Sequence, residues 1–352
     1  MPISIAALLA LLFVQQPAQT PAQTPPQPAP APKPVDVHAE HPARALFLAN
    51  CAQCHGETGD GHGTTKLDRD ARSFQLGGFS YGNTPEALVR TITYGIPGSP
   101  MPSFEKALKL EDRKLLAEYV LLIGPPAEKS DPKESVLVVK DKPLVVRGKL
   151  PPVVEGGPAF PRGVMIGTPE GLSFEYRVDD VRLLAVLKGE FVDRADWRGR
   201  GGDPLTPLGK AVHVRPQDDD AWIFARFGAI AQRTLFSTEV LGGSARVVYE
   251  LRNAAGARIA RVVETPRTFA CSIGGGYARR FEITPGVPDP SSSLASHAEH
   301  GALSELKLRR GLASPRKDLL VLEEITLPGV LWPADSAEQK KLMDTFLAEA
   351  VR

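Results

Sequence analysis

The run Cys51-Ala52-Gln53-Cys54-His55 sets two thiols two residues apart, with an imidazole immediately behind them. At that spacing the thiols can add to the two vinyl groups of one porphyrin while the imidazole is held within reach of the iron, which is the signature of covalent haem attachment. A thioredoxin-like redox pair or half of a zinc site also uses C-x-x-C. The first belongs in a β-α-β setting that is not found around these residues. The second needs another C-x-x-C or two well-spaced histidines, and the remaining cysteine is the distant Cys271. Residues 95–102, Gly-Ile-Pro-Gly-Ser-Pro-Met-Pro, then offer a thioether at Met101. A thioether is a soft ligand that favours Fe(II) and raises the potential relative to two histidines. Pro97 and Pro102 stiffen the chain on either side of Met101 and Gly98 permits a tight turn. His62 competes for the same ligand role, although its Gly59-Asp60-Gly61-His62-Gly63 setting reads as an exposed loop. With His55 and Met101 as axial ligands the iron has no open position, so the residues favour an electron carrier over a catalyst.

Three helices must position these groups. Residues 43–50 form a short amphipathic helix with Phe47 on its apolar side, leading into the cysteines. Thr84-Pro85-Glu86 begins a second, through 92, with Thr84 as cap and Pro85 in the first turn. Residues 110–123 form a third, with Leu115, Leu116, Tyr119 and Leu122 on one face and Gly124-Pro125-Pro126 ending it. On these motifs, residues 38–126 resemble the class I cytochrome c family, about a quarter of the chain. The resemblance implies a small all-α domain whose first and last helices cross beside one covalently held haem c. It implies Cys51 and Cys54 as attachment points, His55 and Met101 as iron ligands, and Pro97 packed near His55. It also implies assembly on the outer side of a bacterial cytoplasmic membrane and redox proteins as donor and acceptor. Residues 72–79 replace the Lys-rich rim of mitochondrial relatives, so docking to a strongly acidic partner is not expected.

The whole chain has 352 residues, enough for about two domains. Its 42 basic and 41 acidic residues give a net charge of +1, which provides no electrostatic case for nucleic acid or for a polybasic membrane contact. Residues 1–16 contain an apolar run at 3–14, too short to span a bilayer and suited to a signal peptide or an N-terminal anchor. Residues 17–37 are built from Pro, Gln, Ala and Thr and read as a disordered, extended linker. The expectation is a periplasmic or exported protein, tethered to the membrane if the leader is retained.

From 135 to 352 the texture becomes β. Short β-branched or alternating runs punctuated by Gly and Pro fall at 135–140, 143–149, 172–178, 181–188, 210–214, 221–227, 245–251, 258–265, 277–284 and 319–326, with a hairpin turn at 252–256. This predicts a mainly-β, sandwich-like domain closed by a helix at 337–351, capped by Asp335 and Glu338 and apolar along Leu342, Phe346 and Ala350. Segments such as Gly171-Leu172-Ser173-Phe174 and Pro207-Leu208-Gly209 are similar to an uncharacterised β domain that accompanies haem domains in large bacterial cytochromes. Asp193, Asp196, Trp197, Arg198, Arg200 and Asp203 would suit a carbohydrate, or simply form surface pairs around a Gly-rich connection. Gly274-Gly275-Gly276 lacks the βαβ context of a dinucleotide fingerprint. His213, His297 and His300 show no convergent spacing, with the last two expected in an exposed loop, and Cys271 reads as a small buried hydrophobe. The principal expectation is one-electron transfer through the haem. The alternative is a haem-bearing subunit of a periplasmic dehydrogenase whose β domain binds a substrate such as a carbohydrate.

Overall fold

The computed structural model describes residues 38, 40–67, 70–77, 79, 82–96, 99–126, 130–195, 204–217, 219–224, 227, 228, 230, 232–286, 297–301, 305–314, 316 and 318–350. The expected leader and linker lie outside them. Residues His38–Arg352 form one compact unit.

Its first part is helical: α1 (Arg44–Asn50), α2 (Ala52–His55), α3 (Pro85–Tyr94) and α4 (Leu110–Ile123). Phe47 of α1 is fully buried and lies 5.2 Å from the ring of Tyr119 on α4 and 6.2 Å from Phe74. Around this crossing Leu116, Ala117, Val120 and Phe79 complete an apolar cluster, each large member contributing roughly 1.5–3 kcal/mol. The boundaries of α4 match the sequence expectation, but its buried face does not. Leu122 is exposed, while Val120 and Leu121 are buried, because α4 packs against both α1 and α3 and so buries a wider arc than one stripe. In α3, Thr84 Oγ1 accepts from the Ala87 N–H at 3.2 Å and Pro85 fills the first turn. The helix runs two residues past its expected end, stopping where Gly95 takes φ +69°.

A single turn, α5 (Pro132–Ser135), leads into the β part. A five-stranded sheet has the order β2 (Leu144–Leu150), β3 (Phe160–Gly167), β4 (Leu172–Arg177), β5 (Arg182–Lys188), β8 (Lys210–Val214). A small sheet joins β1 (Val136–Leu137), β6 (Val192–Asp193) and β7 (Thr206–Pro207). The third sheet has seven strands, in the order β13 (His297–Gly301), β14 (Glu305–Leu312), β15 (Leu320–Pro328), β12 (Gly274–Pro285), β11 (Arg258–Cys271), β10 (Ser244–Arg252), β9 (Gln232–Leu241). Inward side chains of the five- and seven-stranded sheets, among them Ile166, Phe174, Val247, Val262 and Phe281, share one apolar cluster. The outer face of the seven-stranded sheet is covered by α7 (Ser336–Ala350), whose Phe346 and Ala350 pack on Leu306, Leu308, Ile325 and Leu327. Asp335 Oδ1 accepts from the N–H groups of Ala337 and Glu338, at 2.9 and 3.0 Å, which is the Asp335 half of the expected capping pattern.

Several expected elements differ. Residues 221–227 contain a helical turn, α6 (Ala221–Phe224), rather than a strand. Asp220 is drawn into the interior, and the turn behind it points Ile223 inward. Strand β3, unreadable because of its glycines and proline, lies second in its sheet. A Cβ at Gly163 would meet Leu150 Cγ at 2.2 Å, so the glycine is there to admit a neighbour's side chain. Strand β9 is an edge strand with no clean alternation in burial. Strand β14 alternates Leu with charged residues that face inward. His297 and His300 belong to β13 and not to a loop.

Candidate functional site

Cys51 caps α2, and Cys54 and His55 lie on its single turn, so three reactive groups share one short element. The segment that follows folds back on this turn: Gly61 N–H donates to His55 O at 2.8 Å, Gly63 N–H to Cys54 O at 3.2 Å and Thr65 N–H to Gln53 O at 2.8 Å. That return path brings Arg72 and Phe74 to the imidazole. His55 Nδ1 lies 2.9 Å from the carbonyl oxygen of Arg72, and its ring stacks on Phe74 at 4.4 Å with a 22° interplanar angle. A carbonyl can only accept, so Nδ1 carries the proton and Nε2 keeps its lone pair for a metal. Burial lowers the His55 pKa, in the same sense. Neither cysteine is in a disulfide. Burial, and secondarily Cys54, pushes Cys51 up to about 11, the opposite of the activated thiolate that a disulfide oxidoreductase needs. Two unpaired thiols beside an imidazole oriented through Nδ1 are the donor set that covalent haem attachment requires, and the chain's residues fit that group. The Arg72 carbonyl and the Phe74 ring were not singled out from the sequence. A backbone acceptor carries no residue signature, and Phe74 was visible only as part of an unusual rim.

Met101 is carried separately, beyond α3. Its carbonyl accepts from Ile96 N–H at 3.1 Å, its N–H donates to Ser99 Oγ at 3.2 Å, and Ser99 Oγ in turn donates to Ile96 O at 2.8 Å. Phe104 N–H donates to Ile92 O at 3.1 Å and Ser103 Oγ to Thr93 O at 2.6 Å, so the chain after Met101 is stitched back to α3. Pro97 lies outside the described residues. The competing His62 is exposed, 3.8 Å from Asp70.

The β part holds a second polar assembly that no sequence pattern announced. Fully buried Arg279 pairs with Glu264 at 2.7 Å and Asp220 at 2.6 Å. Arg215 pairs with Glu324 at 2.8 Å and Asp219 at 2.8 Å, and donates to Tyr277 OH at 2.7 Å. Tyr176 OH donates to Glu264 at 2.6 Å. His213 bridges Tyr277 OH and Glu305, both at 2.6 Å, and Lys307 joins Glu305 to Asp219 at 2.7 and 2.8 Å. Burial opposes ionisation of Glu324, but Arg215 and Arg279 outweigh it and hold its carboxyl at about 2. For Glu305 burial is likewise outweighed, by hydrogen bonds from His213 and Lys307, to about 2. Asp220 is held far below the carboxylate range by Arg279 and Arg215 against its own burial. Among the described residues no group of His, Cys, Asp and Glu has metal-binding geometry. Of the loop expected to suit a carbohydrate, residues 196–203 lie outside the described residues, and Asp193 is half-buried in β6, paired with Val136 and Thr206. Cys271 is half-buried against the α7 cluster.

Residues 38–120 match the family described as "Cytochrome C oxidase, cbb3-type, subunit III". The CcoP subunit of the cbb3-type cytochrome c oxidase of Azospirillum brasilense is 35% identical over 89 residues, 25% of this chain and 30% of that protein. The FixP subunit of the corresponding oxidase of Azorhizobium caulinodans is 34% identical over 89 residues, 25% of this chain and 29% of that protein. The chain thus spans about 30% of the length of these curated relatives. Among solved structures, the reducing HAO-like protein complex Kustc0457/Kustc0458 of Kuenenia stuttgartiensis is similar at 29% identity, over 23% of this chain and 40% of that one, with a TM-score of 0.22. Residues 38–120 are therefore a cytochrome c domain that binds haem c covalently. A β-rich region follows it in the chain, with strands between Val136 and Pro328.

Proposed function

We propose that the chain is an exported, periplasmic one-electron carrier. In this reading Cys51 and Cys54 form the thioether links, His55 ligates the iron through Nε2, and Met101 supplies the opposite ligand from the turn that Pro97 stiffens. The observation that carries the reading is the His55 Nδ1 contact with the Arg72 carbonyl, which sets the tautomer directly after the Cys51 and Cys54 pair in a domain of cytochrome c sequence. When bound, the haem supplies a one-electron Fe(II)/Fe(III) couple. The Arg72 carbonyl and the Phe74 ring orient the imidazole, and His55 and Met101 would both hold the iron, which would leave no position for a substrate. Donor and acceptor are redox proteins, and the kinship to oxidase subunits makes a membrane-bound terminal oxidase the first acceptor to try. Residues 1–16 act as leader or anchor, 17–37 as tether, 38–126 as the haem domain, and 135–352 as a sandwich-like domain that does not itself exchange electrons.

Reduction of the oxidised protein, followed at the haem α band, tests this. A reduced cytochrome or quinol-oxidising complex should reduce it within seconds, whereas a panel of sugars and other small periplasmic reductants should not. Reduction by one sugar, lost when 135–352 is deleted, would replace the carrier reading with that of a dehydrogenase subunit.

A further inference from the structure

The two parts of the molecule meet beside Met101. Ile96, whose N–H holds the Met101 carbonyl, packs against the apolar cluster shared by the two large β sheets. One face of α3 rests on the same region. Arg90 Nη1 lies 2.7 Å from Asp179 Oδ2, and Arg162 lies 3.7 Å from the other oxygen of that carboxylate. Just before α3, Gly82 takes φ +87°, and a Cβ there would stand 2.8 Å from the carbonyl oxygen of Pro161 on β3, so backbone meets backbone. Asp179 belongs to the β4–β5 turn, which is held against β3 by Val178 N–H donating to Arg162 O at 3.0 Å. This turn contains Val181 at φ +47°, the one non-glycine with positive φ among the described residues. A β-branched residue in that conformation is costly and persists only where the surroundings enforce it. Here the enforced turn is the one that presents Asp179 to the haem domain.

We propose that the β region positions Met101, holding its turn through Ile96 and holding α3 through the Arg90–Asp179 pair, so that the strength of the distal ligand and the potential are set across the domain boundary. The inference rests on Met101 being the axial ligand. A half-exposed ion pair contributes little alone, and the seated Ile96 and the close approach at Gly82 supply most of the hold. Ile96, Arg90 and Asp179 are positioning residues, since none of them is assigned to the iron.

The test uses the full-length ferric holoprotein and three readouts: the weak far-red thioether-to-iron band, the rate at which added imidazole displaces the sulfur, and the midpoint potential. Asp179→Arg, which sets three cations against one another from the β side alone, and Ile96→Ala should each speed imidazole exchange by roughly tenfold and lower the potential. Pairing Arg90→Asp with Asp179→Arg should restore most of the parental rate. Amide exchange at Ile96 and Met101 should rise in Asp179→Arg while that of α4 stays unchanged. Parental exchange rates in both single variants, with the far-red band intact, would overturn the proposal and leave the Met101 assignment standing. A parent without that band, whose spectrum Met101→Ala does not alter, would overturn the assignment and the proposal together.

Discussion

The helical and β parts of this molecule each concentrate polar chemistry in a protected place, but they assemble it differently. In the helical part Cys51, Cys54 and His55 are neighbours in the chain, and the fold adds a carbonyl from Arg72 and a stacking ring from Phe74. In the β part, charged residues scattered from Arg215 to Glu324 become neighbours through strand register. Glu264, Arg279 and Glu324 stand on the interior faces of β11, β12 and β15, and Glu305 and Lys307 on that of β14. Local chemistry is written as a motif, whereas chemistry assembled by register is written only in the pairing. The first is expected to govern cofactor retention without governing the β fold, and the second the reverse.

The sharpest separation of the two should come from replacing Cys51 and Cys54 by Ala together. Haem should then be lost completely from the denatured chain on a peroxidase-stained gel, with the β-sheet circular dichroism retained. Loss of both signals would mean that the parts fold as one. The converse variant is Arg279→Met. Removing that guanidinium leaves Asp220 and Glu264 buried without their main partner, a change that costs about 3–5 kcal/mol. Tryptophan fluorescence during urea unfolding reads this cost in the β part, because Trp197, Trp222 and Trp332 all lie there. The ferric haem spectrum should be unchanged before unfolding begins.

How much was legible follows from the same contrast. The helices at 44–50, 85–94 and 110–123 could be read because caps, proline and apolar spacing all lie within one or two turns. The hairpin at 252–256 could be read because its turn chemistry is local: Asn253 Oδ1 accepts from Ala257 N–H at 3.0 Å and Gly256 adopts φ +79°. Strands β3, β9 and β14 could not. In β3 the glycines answer to Leu150 and Phe191 on other segments, in β9 the edge removes the alternation, and in β14 Glu305 and Lys307 look solvent-facing until His213 on β8 and Asp219 beyond it are known as partners. His213 likewise looked isolated because Tyr277 and Glu305 lie 64 and 92 residues further on.

Acid should act on the β part before the helical part. Glu324 and Glu305 are held at about 2 in the fold against an ordinary value of 4.5. Depressed carboxyl groups contribute stability above their unfolded value, and that stability is lost as pH falls through the folded one. The urea midpoint read by tryptophan fluorescence should therefore fall steeply between about pH 5 and about pH 2. Glu305→Gln and Glu324→Gln should each flatten that slope. A midpoint that stays level over this range would mean that the buried ion pairs do not distinguish the folded from the unfolded state.

The smallest expected effect has the opposite sign. Glu175 lies on β4 with its neighbours Phe174 and Tyr176 in the inter-sheet cluster, so it projects from the other face, in register with Met165. Burial alone raises its carboxyl from 4.5 to about 7. The folded chain keeps this proton up to about pH 7, while the unfolded chain releases it near 4.5. Stability is therefore eroded as pH rises across that interval, and the cost is constant above it. Glu175→Gln removes the ionisable group while keeping its shape. It should leave stability unchanged at about pH 4 and raise it by about 3 kcal/mol at about pH 8, measured by urea unfolding. Equal stability of parent and variant at the higher pH would show that Glu175 ionises in the fold without penalty. The β interior would then accept a lone carboxylate as readily as it accepts the paired ones.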